Sequence, residues 1–168
     1  LKEKGQENWS AALTYFQKAT AKNPDNAEAW FEVGYCYDSL GQYQDAVEAL
    51  KQVIRIKPDL ADAHYGLGVT YVLLGRWQEA IEAYKQVIRI KPDYADAHSN
   101  LGLAYVKLGR WQEAVEAYKQ AIRIKPDDYE AHYSLGLAYG MLGRWQEAIE
   151  SCKQAIRIKP DYAEAHNY

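Results

Sequence analysis

At 168 residues and a net charge of −3, the chain has room for one ordinary domain or one short repeat array. A hydrophobic content of 48% excludes wholesale disorder. No apolar run approaches the ~20 residues that span a bilayer, and the dispersed Lys and Arg lack the concentrated basic surface of a nucleic-acid binder.

Residues 1–26 read as the end of a unit that starts earlier, with one departure. Gly5 stands four residues before Trp9 where later units keep a spacing of two, so the turn is longer or a first helix is lost. No Met opens the sequence, Met141 being the only one, and no polar helix follows the last unit; the expectation is a piece of a longer protein. From Pro24 onward a 34-residue period governs the chain. Pro24, Pro58, Pro92, Pro126 and Pro160 keep it, as do Gly34, Gly68, Gly102 and Gly136, and Ala46, Ala80, Ala114 and Ala148. Full units run 27–60, 61–94, 95–128 and 129–162, and residues 163–168 begin another.

Each unit predicts two helices. Proline stops the preceding helix, and Asp59, Asp93, Asp127 and Asp161 stand where a cap for the next is expected. Asp62, Asp96, Glu130 and Glu164 follow three residues later, a capping-box variant. Leu-Gly closes the first helix, with Gly41, Gly75, Gly109 and Gly143 placed for the left-handed residue that ends it. The second helix carries apolar residues at three- and four-residue steps, as in Ala80, Ile81, Tyr84, Val87 and Ile88. Gly68 falls mid-helix, where glycine costs about 1 kcal/mol relative to alanine. A close crossing by a neighbouring helix, with Ala80 as a second small surface, accounts for it.

These residues resemble the tetratricopeptide repeat pattern. One unit has Trp30, Val33, Gly34, Tyr37, Ala46, Leu50, Val53 and Pro58; the next has His64, Leu67, Gly68, Tyr71, Ala80, Tyr84, Val87 and Pro92. The resemblance covers 1–168 as a single array. It implies an all-α fold, a right-handed superhelical α-solenoid of 34-residue helix-turn-helix repeats, in which first helices line a concave groove for a partner protein. Chaperone-adaptor members of that family clamp a terminal carboxylate with Lys, Arg and Asn. Asn100 falls at one clamp position, but Tyr65 and Val69 before it and Glu130 and Ser134 after it are not cationic. An acidic C-terminal tail is therefore not the expected ligand.

No residue cluster points to catalysis. His64, His98, His132 and His166 form a ladder, one per unit, but helices packed roughly 8–10 Å apart cannot bring them to one ion that wants its ligands near 2 Å. Trp30 takes the same place in another unit, so packing is their expected role. Cys36 and Cys152, the only cysteines, are too few for a disulfide framework or a zinc site and stand as core fillers; this usage is compatible with a reducing compartment, and the cytoplasm is the favoured location. There is no Gly-rich phosphate loop and no nucleophile paired with an oriented base. The expectation is no enzyme, no metal and no cofactor.

Mapping the implied groove unit by unit gives Phe31, Tyr35 and Asp38; then Tyr65, Val69, Val72 and Leu73; then Ser99, Asn100, Leu103, Val106 and Lys107; then Tyr133, Leu137 and Met141. The stripe is apolar, and contiguous exposed apolar surface marks partner sites; deeper inter-repeat packing is the competing explanation. Asp62, Asp96 and Glu130 would form an acidic rim, though capping explains them equally. The leading expectation is a scaffold for an apolar-rich peptide or helix of some basic character, without nucleic-acid binding or membrane insertion. Self-association through the open ends, and recruitment of substrates for a larger enzyme, are the alternatives.

Overall fold

The computed structural model describes residues 2–162, with side chains described from 8 to 161. Among the described residues there are nine α-helices and no strand. They are α1 (Lys2–Lys22), α2 (Ala27–Ser39), α3 (Tyr43–Ile56), α4 (Ala61–Leu73), α5 (Trp77–Ile90), α6 (Ala95–Lys107), α7 (Trp111–Ile124), α8 (Tyr129–Met141) and α9 (Trp145–Ile158). A 3-10 turn at Pro160–Tyr162 follows. The helices pack as hairpins, α2 with α3, α4 with α5, α6 with α7 and α8 with α9, which is the expected all-α solenoid architecture. Two compact units result, one ending at Ile90 and the other opening at Lys91. Within the first, α1 packs on α2 and α3 on α4; within the second, α7 packs on α8.

Every hairpin turns by the same device. Gly41, Gly75, Gly109 and Gly143 sit at φ of 70 to 73°. In α4, the Gly75 amide donates to the Val72 carbonyl at 3.0 Å and the Arg76 amide to the Tyr71 carbonyl at 2.8 Å. That is the Schellman closure, which satisfies two carbonyls orphaned at the helix end. The residue donating the second bond then opens the next helix, since the Arg76 carbonyl accepts the Ala80 amide at 3.0 Å. One residue therefore ends one helix and begins the other. Arg76 is further held by its guanidinium, which lies 4.7 Å above the Tyr71 ring and donates from Nε to Glu79 at 2.8 Å. Arg110 and Arg144 repeat this arrangement with Tyr105 and Glu113, and with Tyr139 and Glu147.

The expected caps are corrected by one residue. Asp59 and Asp93 do not cap their helices; the N-cap positions are Leu60 and Tyr94, neither of which makes a side-chain cap bond. Asp127 is likewise displaced, by Asp128, whose carboxylate accepts the Ala131 amide at 3.1 Å. The Pro-Asp pair belongs to the connecting turn, closed by the Leu60 amide donating to the Lys57 carbonyl at 3.2 Å. Asp59 instead meets Arg89 at 3.5 Å. Asp62, Asp96 and Glu130 therefore stand at the second helical residue, where an acid suits the helix dipole without closing a capping box. Glu164 lies outside the described residues. At the other end α1 runs unbroken through Gly5, so no turn forms there.

The mid-helix glycines mark close crossings; the Ala46 and Ala148 carbonyls lie 3.7 and 3.1 Å from a Cβ added at Gly34 and Gly136, whereas at Gly68 and Gly102 the nearest atoms belong to a tyrosine. A Cβ on Gly68 would lie 2.6 Å from Cε1 of Tyr84, and one on Gly102 would lie 2.8 Å from Cε1 of Tyr118. Tyr84 and Tyr118 are themselves buried. Ala80 and Ala114 are fully buried beside these crossings and do not form the nearest contact.

Candidate functional site

In the first unit the candidate residues lie on α2 and α4. Phe31 is half-buried and packs on the cluster of Ala27, Val53 and Ala63. Tyr35 is 54% exposed, its ring edge-on to Trp9 at 5.3 Å. Tyr65 is half-buried and tilts against Tyr84 at 5.9 Å. Val69 and Val72 are half-buried, and Leu73 is 51% exposed. Spacings of three and four along a helix put these three side chains on neighbouring lines of its surface. None of the six is sealed in the core.

Two polar features accompany this stripe. The Thr70 hydroxyl, fully buried, lies 3.0 and 3.1 Å from the Asp38 carboxylate oxygens and 2.9 Å from the Gly66 carbonyl. Burial pushes the Asp38 carboxyl above its ordinary range, and the Thr70 bond opposes that shift. Toward the N-terminal ends of α2 and α4, Phe31 and Asp62 share a cleft of about 260 Å³ with Glu28, Glu32, Lys57 and Leu60. Lys57 already meets Glu28 at 3.2 Å. A separate crevice of about 380 Å³ lies between α3 and α5, floored by Leu67 and Tyr71.

In the second unit, Asn100, Leu103 and Val106 on α6 are half-buried and Lys107 is exposed. Ser99 keeps its hydroxyl buried without a hydrogen-bond partner. On α8, Tyr133 is half-buried, Leu137 is exposed and Met141 is 60% exposed. Asp62, Asp96 and Glu130 are all exposed.

The structure adds residues that sequence reasoning missed. Leu137 and Met141 share a wide apolar hollow of about 590 Å³ with Trp145, Ile149, Cys152 and Ile156 of α9. Cys36 is a core filler as expected, but Cys152 is half-buried and lines this hollow. Two departures from the repeat signalled it: Cys152 stands where Leu50 and Tyr118 do, and Gly140 where Asp38 and Val106 do.

The histidines have a defined structural task. Nε2 of His64, His98 and His132 lies 2.8, 2.9 and 2.9 Å from the carbonyls of Pro58, Pro92 and Pro126. Trp30 donates its indole N–H to the Pro24 carbonyl at 2.9 Å. A ring N–H thus pins the turns at Pro24, Pro58, Pro92 and Pro126, and because a carbonyl only accepts, these histidines carry their proton on Nε2. His166 lies outside the described residues. Among those described, no three His, Cys, Asp or Glu converge to hold a metal ion, and no helix is long and apolar enough to cross a membrane.

Paired helices, glycine turns and ring-pinned prolines define a helical-repeat protein. The chain belongs to the tetratricopeptide repeat family. Residues 3–168 match the model of one of its domains, the cilia and flagella-associated protein 70 C-terminal domain. The crystal structure of MamA is 32% identical with a TM-score of 0.89, covering 97% of this chain and 95% of that one. MamA 41-end from Desulfovibrio magneticus RS-1 has a TM-score of 0.84 at 22% identity, covering 95% and 88%. YrrB, described as a TPR protein with an unusual peptide-binding site, has a TM-score of 0.84 at 22% identity, covering 94% and 81%. The family relationship makes the chain a protein-protein interaction scaffold.

Proposed function

We propose that the chain, read as a single array of four full repeats, holds a partner peptide or helix in a concave groove along its first helices and has no catalytic role of its own. Tyr35, Val69, Val72 and Leu73 would grip it in the first unit, and Leu103, Val106, Leu137 and Met141 in the second. One observation carries this reading: large apolar side chains stay exposed at matching repeat positions, Tyr35 with Leu137 and Leu73 with Met141. A protein that kept these positions only for packing would bury them. Burial of apolar side chains on rigid helices supplies affinity without an ordering cost on the scaffold side. The exposed acids Asp62, Asp96 and Glu130 favour a ligand with basic residues, chiefly by steering its approach.

The test is selection of binders from a random peptide library on the intact chain, followed by titration against the double variant Val72→Lys/Leu73→Lys. The expected binders are apolar-rich with Lys or Arg, and the variant loses them while its circular dichroism stays helical. Undiminished binding by a helical variant would refute the groove.

A further inference from the structure

Asp38 stands where the later repeats have Val72, Val106 and Gly140, and Thr70 stands where the others have Cys36, Ala104 and Ala138. These two polar exceptions meet. The Thr70 hydroxyl of α4 lies 3.0 and 3.1 Å from the carboxylate oxygens of Asp38 on α2. In the second unit the same two positions are Val106 and Ala138, so the repeat folds without a hydrogen bond there.

The bond leaves the carboxylate short of donors. The Thr70 hydroxyl has one proton and three acceptors around it, the two Asp38 oxygens and the Gly66 carbonyl at 2.9 Å. A carboxylate offers about four lone-pair sites, and α4 meets at most one of them. Burial and the Thr70 bond are what act on this carboxyl; no Lys or Arg among the described residues does. A half-buried anion without a cation is costly to keep, yet Asp38 remains partly open to solvent.

Its neighbours suit one kind of cation. Tyr35 stands three residues before Asp38 on α2 and so lies next to it on the helix surface. The Tyr35 ring is 54% exposed and is braced edge-on by Trp9 at 5.3 Å. Leu73, itself exposed, follows Thr70 by three residues on α4. A guanidinium stacks on aromatic faces, bonds a carboxylate through parallel N–H groups and gives up water more readily than an ammonium. Its aliphatic stem covers apolar surface. We propose that Asp38 and Tyr35 hold an arginine side chain of the bound peptide, in register with apolar residues on Val69, Val72 and Leu73. This assignment rests on the groove reading and names the residue type that the groove selects.

Selection from a random peptide library tests it on the natural chain, on Asp38→Asn, and on Asp38→Val/Thr70→Ala. The last copies the Val106 and Ala138 pair and so keeps a packing the repeat already uses. Binders to the natural chain should carry Arg at one recurring place among apolar residues, and binders to either variant should stay apolar and lose it. Replacing that Arg by citrulline, its uncharged isostere, should weaken binding to the natural chain roughly tenfold and leave binding to Asp38→Asn unchanged. Equal citrulline losses on both proteins, the same recurring Arg on all three, or Lys in its place overturn the assignment and leave the groove standing. Binders that ignore Val72→Lys/Leu73→Lys, or no binders at all, overturn the groove and the assignment together.

Discussion

Gly68 lies so close to the ring of Tyr84 that a methyl group added to it would sit 2.6 Å from Cε1 and 2.9 Å from Cζ. Tyr84 is enclosed, and the tilted ring of Tyr65 packs against it, so its ring has nowhere to retreat. Gly68→Ala should therefore lower stability by about 1–3 kcal/mol, the usual cost of overpacking, even though alanine gains about 1 kcal/mol in helix propensity. Adding Tyr84→Leu should recover part of the loss, because a Cβ added at Gly34 would meet Leu50 at 3.1 Å, against 2.6 Å for one at Gly68 and Tyr84. Urea midpoints of the single and double variants check this.

The turn glycines make a contrasting case. Gly75 has nothing within 4 Å of an added Cβ but sits at a φ of 70°. Gly75→Ala should cost about 1–2 kcal/mol through backbone conformation alone, and Gly75→Asn less, since asparagine tolerates that region. Thermal unfolding of the two variants separates them.

The proline pin predicts a tolerance that size alone would not. His64→Trp should keep the bond to the Pro58 carbonyl, as Trp30 keeps its bond to Pro24. His64→Phe, an aromatic without a ring donor, should lose about 1 kcal/mol. A phenylalanine variant as stable as the tryptophan one would show that only ring packing matters.

Asp38 makes stability depend on pH with a definite sign. Its folded carboxyl titrates above the unfolded value of 3.8, chiefly because of burial. The native state therefore holds the proton at pH values where the unfolded chain has released it. The contribution of Asp38 is present below the unfolded value and is lost as pH rises through the folded one. Asp38→Asn keeps an acceptor for the Thr70 hydroxyl and cannot ionise. Relative to the natural chain it should gain stability as pH rises from below 3.8 toward neutrality. A constant difference across that range would contradict the assignment.

The period made hairpin pairing, helix stops and glycine crossings readable, because each is a local demand repeated at a fixed step. Gly75 is an example: left-handed backbone admits few residue types. Helix starts were less readable. Asp59 has the chemistry of a cap, but the turn after Pro58 consumes it and leaves the position to Leu60, a residue type that signals no cap. The hollow at Cys152 was legible only as two odd residues, since Ile149 reads like Val115 until the structure shows which of them is covered. The stripe from Tyr35 to Met141 was mapped by family geometry, and exposure at matching positions is a property of the folded chain that no spacing encodes.

The most direct measurement is methyl-resolved NMR of the intact chain titrated with a selected peptide. Shifts should concentrate on Val69, Val72, Leu73 and Leu103, and spare the methyls around the α3–α5 crevice and the buried Ile81 and Val115. Shifts confined to Leu67 and Ile54, which line that crevice, would put the ligand between α3 and α5 and contradict the account.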